Sequence, residues 1–352
     1  MVAPQIRVLC PKCNTSVPLE GDSIVCSCGT KLGSTQGSLT EIPPLTPYWG
    51  EIAQAEMQEF LEKSRRSSWR EVIHCMEPDW QDNIMKAERA AFQDVLPVPD
   101  GSDVLDVGAG LGCLSVELAR HHRVVALEGV PERAQFICLR KEQDHLDNLR
   151  VLNADLNAIR FDSDQFDVII VNGVLEWVGL FDTSVSPDAA QVRFLERLRT
   201  ALKPNGYIYI GIENRIGWNQ LRGCLDHSGM PYTSLVPRFI ASLICKHHNQ
   251  YRSNHNAGYR TYTYSFKGYR QLFGRAGLVI QSTWIAPLGY NLPTYLIPLN
   301  QTAIDIYTWH WYAAPVSLKV RVTNLIKKLM ARPSVWRQFG SDYVFLLERR
   351  NA

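Results

Sequence analysis

Three groups of residues in this 352-residue chain have types and spacings that could do chemistry. The first lies in "VLDVGAGLGCLSVELARHHRVVALEG", where Asp106 precedes Gly108, Ala109, Gly110 and Gly112, and Glu128 and Gly129 close the run. Alternate glycines remove the Cβ atoms that would hold a ligand off the backbone and open φ angles closed to other residues. A carboxylate on each side offers hydrogen-bond acceptors to such a ligand. The second group is Glu213, in "IENR", with Asp226 and His227 a short way downstream. Histidine titrates near neutrality and could take a proton from a hydroxyl, with Asp226 orienting it and Glu213 as a second proton acceptor. The plainer alternatives are a loop cap beside a solvated histidine, and a Glu213–Arg215 salt bridge. His247, His248 and His255 are weaker candidates of the same kind. The third group is Cys10, Cys13, Cys26 and Cys28, a C-x2-C pair followed by a tighter C-x-C pair. Four thiolates can enclose one Zn2+ tetrahedrally, leaving no position for water, so the expected role is structural.

The elements that must hold these residues follow from pattern. Residues 1–33, with a short Val-rich strand around Ile24 and Val25, suit a zinc ribbon, too small to bury a core unaided. Residues 34–50 are rich in Gly, Ser, Thr and Pro and read as a linker. Residues 51–98 show apolar residues at helical spacing and form a helical cap, in which Trp69 and Trp80, like Trp49 just before it, either pack or line a cleft. Asp103–Val107 is a strand, the glycine turn follows, Leu111–Arg120 is helical, and Arg123–Leu127 is a second strand ending in Glu128. That is a β-α-β unit with an acidic residue 20 positions after the first glycine, an arrangement that suits a nucleoside ribose.

The spacing Asp-x-Gly-x-Gly-x-Gly resembles the first motif of the class I S-adenosylmethionine-dependent methyltransferases. The likeness continues in order through "LNADLNAIRF", "FDVIIVNGVLEWV", "LKPNG" and the terminal "DYVFLLERR". It implies an α/β fold, a doubly wound, seven-stranded Rossmann-like sheet over 99–285, completed by a final strand at 342–352. It also implies S-adenosyl-L-methionine as cofactor, with Asp155 at the adenine amino group, Leu156 beside the ring, and Asn172 and Gly173 against the methionine and adenosine portions. The string from Glu213 to Gly229 resembles methyltransferases found beside bacterial polysaccharide genes, although Cys224-Leu225-Asp226-His227 keeps only part of their D-D-H pattern.

The methyl of a sulfonium is already activated, so the protein's work is to align an acceptor and remove its proton. The cofactor site therefore names the reaction and leaves the acceptor open. The expectation is O-methylation of a sugar, glycan or related small molecule, including a lipid-linked one. A ribosomal or transfer RNA substrate is disfavoured by the formal charge of +2 and by Asn172-Gly173-Val174-Leu175 where an N-P-P-Y type motif would stand. A third alternative is a non-catalytic zinc-ribbon scaffold that retains a cofactor fold. Residues 286–341 read as a helical lid in which Tyr290, Tyr295, Trp309, Trp311 and Tyr312 either stack on a ligand or pack. Within it, 316–332 alternates Val320, Leu325 and Leu329 with Lys319, Arg321, Lys327, Lys328 and Arg332, a basic amphipathic helix suited to a membrane surface or to a solvated face. Nine cysteines with no secretory signal, and no apolar run of about 18 residues, lead to an expected cytoplasmic location, if anything peripheral to the inner membrane face.

Overall fold

A computed structural model of the chain describes residues 4–50, 52–75, 81, 84–182, 184–247, 258–309 and 318–350. The fold is a mixed, Rossmann-like β-sheet of eleven strands with helices, preceded by a two-stranded N-terminal hairpin. Two compact units divide the chain, residues 1–171 with 196–208 and residues 172–195 with 209–352.

In the first unit, β6 (Asp103–Val107), β7 (Arg123–Glu128), β8 (Leu149–Ala154) and β9 (Phe166–Asn172) are almost wholly buried runs of Val, Ile and Leu. Strands covered on both faces lose the usual alternation and pair in parallel. β6 does so with both β7 and β9, and β7 with β8. Parallel pairing brings the carboxyl ends of β6, β7 and β8 to one edge, and the glycine turn and Glu128 lie there.

The hairpin of β1 (Arg7–Leu9) and β2 (Ser16–Pro18) is followed by β3 (Ser23–Val25), β4 (Lys31–Gln36) and β5 (Leu39–Ile42). β3, β4 and β5 are antiparallel, and β5 then adds in parallel to β8. The stretch 34–50, read from composition as a linker, thus carries the end of β4 and all of β5. Gly37 turns the chain at φ +57°, and a Cβ at Gly33 would meet the Glu41 backbone, so these glycines serve strand pairing rather than slack. The ribbon is further bonded to the core by Leu9 N–H to the Arg160 carbonyl (2.8 Å) and Asp162 N–H to the Arg7 carbonyl (3.0 Å).

Helices Gln54–Arg66 and Trp69–His74 bury Met57, Phe60, Leu61, Trp69 and Ile73 against Phe136 of the Pro131–Gln143 helix. Trp69 is therefore packing; Trp80 lies outside the described residues.

In the second unit the strand order is β12 (Ile297–Pro298), β11 (Leu278–Ala286), β13 (Asp342–Arg349), then β10 (Leu202–Glu213), a strand whose first half belongs to the first unit. β13 runs antiparallel to β11, as the terminal "DYVFLLERR" suggested. Helix Phe266–Arg275 packs Tyr269 and Phe273 on Tyr343 and Phe345. Between β11 and β13 the expected insertion holds helices Gln301–Thr308, Leu318–Met330 and Pro333–Phe339. Among the described residues, no helix is long and apolar enough to cross a membrane.

Candidate functional site

The glycine turn leaves β6 with Gly108, Gly110 and Gly112 at φ +68°, +59° and +77°. A Cβ at Gly110 would meet only the Gly108 carbonyl oxygen, 4.0 Å away, so space beside this residue is open. A Cβ at Gly112 would press on Ile137 at 3.0 Å, so that glycine lets the turn pack on the Pro131–Gln143 helix. The backbone N–H groups of Gly108 and Ala109 donate to the Leu127 carbonyl, and Gly110 N–H donates to Glu128 Oε2 at 2.8 Å. Glu128 Oε1 accepts from Val130 N–H at 2.9 Å. Before any ligand contact, then, Glu128 already ties the glycine turn to the end of β7, with lone pairs remaining on both oxygens. Burial raises its carboxyl, and the charge of Arg133 and these backbone donors pull the other way. Asp106 is 2% exposed and accepts a 2.5 Å hydrogen bond from the Ser115 hydroxyl. Burial pushes its carboxyl up to about 6 despite that bond.

Asp155 follows β8, half-buried, and accepts from Asn157 N–H at 2.8 Å, with Leu156 half-buried beside it. Three contributors were not singled out from sequence. Asn153, fully buried in an otherwise apolar strand, donates to the Glu128 and Gly129 carbonyls at 2.8 and 3.0 Å and fixes that turn. The polar residue within "LRVLNA" was the available signal. Thr46 N–H donates to the Gly129 carbonyl, and its Oγ1 would lie 2.7 Å from a Gly129 Cβ. Arg140, 2% exposed, donates to the Leu111 carbonyl at 2.7 Å while lying over Trp69, which joins the helical cap to the glycine turn.

The four N-terminal cysteines are free thiols. Cys10 Sγ lies 3.8 Å from Cys28 Sγ, and Cys13 Sγ 3.5 Å from Cys26 Sγ, too far for disulfides. All four sulfurs lie within 4.8 Å of one another. Around a tetrahedral zinc with Zn–S of about 2.3 Å the sulfurs would stand roughly 3.8 Å apart, so the C-x-C pair completes a set of the right size.

In the second unit, His227 Nε2 lies 3.0 Å from Glu213 Oε1 and 3.4 Å from Glu176 Oε1. Glu176 was not among the sequence candidates; its signal was an acidic residue in the apolar exit of β9, "NGVLEWV". Its side chain is 0% exposed, against 22% for His227 and 20% for Glu213. Burial alone would push the His227 imidazole down, but the Glu213 and Glu176 carboxylates lift it to about 10, so it is cationic at neutral pH. Burial and the Glu213 charge raise Glu176 to about 8, while the His227 cation holds Glu213 below its usual range against burial. Tyr290, buried, donates its hydroxyl to Glu213 Oε1 at 3.1 Å, and the Trp177 ring stands 4.6 Å from His227.

Two expectations change in detail. Asp226 does not bond the imidazole; it accepts from Ser228 N–H at 2.7 Å and from the Tyr259 hydroxyl, an Asx turn that shapes the loop carrying His227. Arg215 donates to the Ser234 and Val236 carbonyls and makes no ion pair with Glu213. Asn172 ends β9 and donates to the Asn291 side chain at 3.3 Å, and a Cβ at Gly173 would lie 2.8 Å from the Tyr290 hydroxyl. Of the aromatic candidates, Tyr290 is buried, Tyr295 is half-exposed against Tyr307, and Trp309 is 72% exposed. His247 ends helix Arg238–His247. His248, His255, Trp311 and Tyr312 lie outside the described residues.

Residues 105–210 match a protein family described as "Methyltransferase domain". An N-methyltransferase 4 of Papaver somniferum is 31% identical over 101 residues, 27% of this chain and 28% of that protein. A ubiquinone biosynthesis O-methyltransferase of Coxiella burnetii is 28% identical over 174 residues, 49% of this chain and 67% of that protein. The chain thus spans under a third of the first relative and about two thirds of the second. A solved S-adenosylmethionine-dependent methyltransferase of Geobacter sulfurreducens, in complex with S-adenosyl-L-homocysteine, is 17% identical, with a TM-score of 0.40 over 84% of this chain and 98% of that one. Residues 105–210 of this chain are thus similar to a methyltransferase domain.

Proposed function

We propose that this chain transfers the methyl group of S-adenosylmethionine to a hydroxyl oxygen of a sugar, glycan or related small molecule in bacterial polysaccharide or natural-product assembly. The observation that carries this reading is the acid–base cluster of Glu176 after β9, Glu213 at the end of β10 and His227 on the loop beyond it. A hydroxyl is a poor nucleophile until its proton is being removed, and a buried cluster that holds and passes protons meets that need. His227 carries its proton at neutral pH, which reverses the role expected from sequence: Glu213 is the ionised proton acceptor, and the imidazolium offsets negative charge as an alkoxide develops. The cofactor would rest on the turn from Asp106 to Gly112, with Glu128, Gly129, Asp155, Leu156, Asn172 and Gly173 as its further contacts. The four cysteines would hold one structural Zn2+.

The acceptor class gains support from helix Leu318–Met330. Val322, Leu325, Ile326 and Leu329 are 49, 59, 51 and 45% exposed and fall at i, i+3, i+4 and i+7. The sequence from Ile306 to Ser341 contains no acidic residue, while Arg321, Lys327, Lys328 and Arg332 surround the stripe. An apolar stripe in a wholly basic segment suits an anionic lipid surface, and hence a lipid-linked acceptor. Incubation with radiolabelled S-adenosylmethionine and, separately, nucleotide sugars, lipid-linked glycans and RNA tests the function. Label in an O-methyl ether of a glycan is the expected result; label in RNA alone, or none in any fraction, overturns it.

A further inference from the structure

We propose that Glu176, Glu213 and His227 form a site for a hard or borderline divalent cation such as Mn2+, separate in place and in chemistry from the cysteine cluster. One donor atom from each of the three residues lies within 4.8 Å of the others, although the residues come from three separate segments of chain. The spacings are those of a coordination shell. Ligands about 2.1 Å from a metal stand roughly 3.0 Å apart at adjacent octahedral corners and about 3.4 Å apart in a tetrahedron. The Nε2–Oε1 distances of 3.0 and 3.4 Å fall on these edges.

Glu176 supplies a second, independent pointer. Its side chain is 0% exposed, and neither of its oxygens has a hydrogen-bond partner. Glu213 Oε2 is buried without a hydrogen-bond partner as well, and His227 Nε2 is buried facing the two glutamates. Folded proteins satisfy nearly all such atoms, and a convergent set left without hydrogen bonds is what metal coordination satisfies. Outer contacts of the kind that orient ligands are also present: the Tyr290 hydroxyl donates to Glu213 Oε1 at 3.1 Å, and Tyr290 N–H is anchored on Asp342 Oδ2 at 3.2 Å. A divalent cation would displace the protons held by His227 and Glu176, and the two carboxylates and neutral imidazole so formed balance its 2+ charge. Oxygen and nitrogen donors favour Mn2+, Mg2+ or Fe2+, whereas the four-sulfur cluster favours zinc. Three protein ligands leave positions open to water or to the oxygen of an acceptor.

This inference goes beyond methyl transfer, and its test reads the metal directly. The full chain, zinc-replete so that the cysteines are filled, is titrated with Mn2+ and free metal is followed by electron paramagnetic resonance. About one Mn2+ per chain is expected to leave the free pool. Glu176→Gln and His227→Gln should each abolish that binding, Tyr290→Phe should weaken it about tenfold, and Cys13→Ser should leave it unchanged. Calorimetric titration with S-adenosylmethionine on the same preparations shows whether each variant remains folded. It also separates the two readings, since Mn2+ binding without cofactor binding would sink only the methyltransferase. Absence of bound Mn2+, binding indifferent to both glutamine variants, or binding lost with Cys13 would overturn the cation site and leave the His227–Glu213 contact as an ion pair.

Discussion

The turn from Asp106 to Gly112 and the cluster of Glu176, Glu213 and His227 are built on opposite plans. The turn is contiguous in sequence and offers backbone: three glycines at positive φ, with space beside Gly110. The cluster is gathered from three segments and offers side chains. A backbone cradle suits a ligand that never changes, whereas side chains suit whatever proton and acceptor a particular enzyme must handle. The two regions should accordingly fail in different ways.

The largest effect is expected from Gly110→Arg. An L-residue at φ +59° is strained by about 1–2 kcal/mol, and the new side chain would fill the open space while touching little of the core. Affinity for S-adenosylmethionine should fall by more than about a hundredfold, nearly 3 kcal/mol, with the circular dichroism spectrum retained. Unchanged affinity in calorimetry would mean that the turn is not a cofactor cradle. Next in size is His227→Ala, which strikes the other plan: turnover should drop roughly 10²- to 10⁴-fold while the cofactor Kd stays near that of the parent. If the Kd moved instead of the turnover, the division between cradle and cluster would collapse.

What could be read beforehand follows the same division. β6, the glycine turn and β7 are encoded within 26 consecutive residues, and their apolar runs and glycines state the structure locally, so the expected strand at Asp103–Val107 is the one observed. His227 and Glu213 were visible as titratable residues on loops, but their proximity depends on how β10 and the loop after it fold back. Glu176 was hidden because one acidic residue after an apolar strand reads equally well as a cap or a surface charge. β5 is hidden in the sequence because Gly, Ser and Pro around a four-residue strand lower its β signal, and only pairing with β8 reveals it. Asp226 is the imidazole's neighbour in sequence, yet adjacent residues rarely face one another, and its carboxylate instead caps its own turn.

A third, smaller effect concerns the ribbon. Cys13→Ser should lower zinc from about one ion per chain to near none by elemental analysis, and it should lower the thermal midpoint, because residues 4–30 have little core of their own. Cofactor affinity should change little, since β4 and β5 hold the ribbon to the sheet independently of the metal. A metal-free chain with an unaltered midpoint would remove zinc from the account of the fold.

The smallest effect is also the one that best sharpens the contrast, because Asp106 is a cradle side chain that is buried at a cost. Its carboxyl, ordinarily near 3.8, is pushed up to about 6 by burial. A folded pKa above the unfolded one means that the native state holds the proton more tightly, so stability is fully present below about 3.8 and declines as pH rises through about 6. Two units at about 1.4 kcal/mol each set an upper scale of roughly 3 kcal/mol. Asp106→Asn keeps an acceptor for the Ser115 hydroxyl and removes the buried charge. The variant should therefore melt at the same temperature as the parent near pH 4 and a few degrees higher above pH 6. S-adenosylmethionine carries a sulfonium and an ammonium, so the same variant should bind it more weakly above pH 6, where the parent's carboxylate is ionised. A gain in stability coupled to a loss of affinity, both appearing over the same pH interval, would identify the carboxylate as a charge retained for a cationic ligand. A melting difference that ignored pH would assign Asp106 to packing alone.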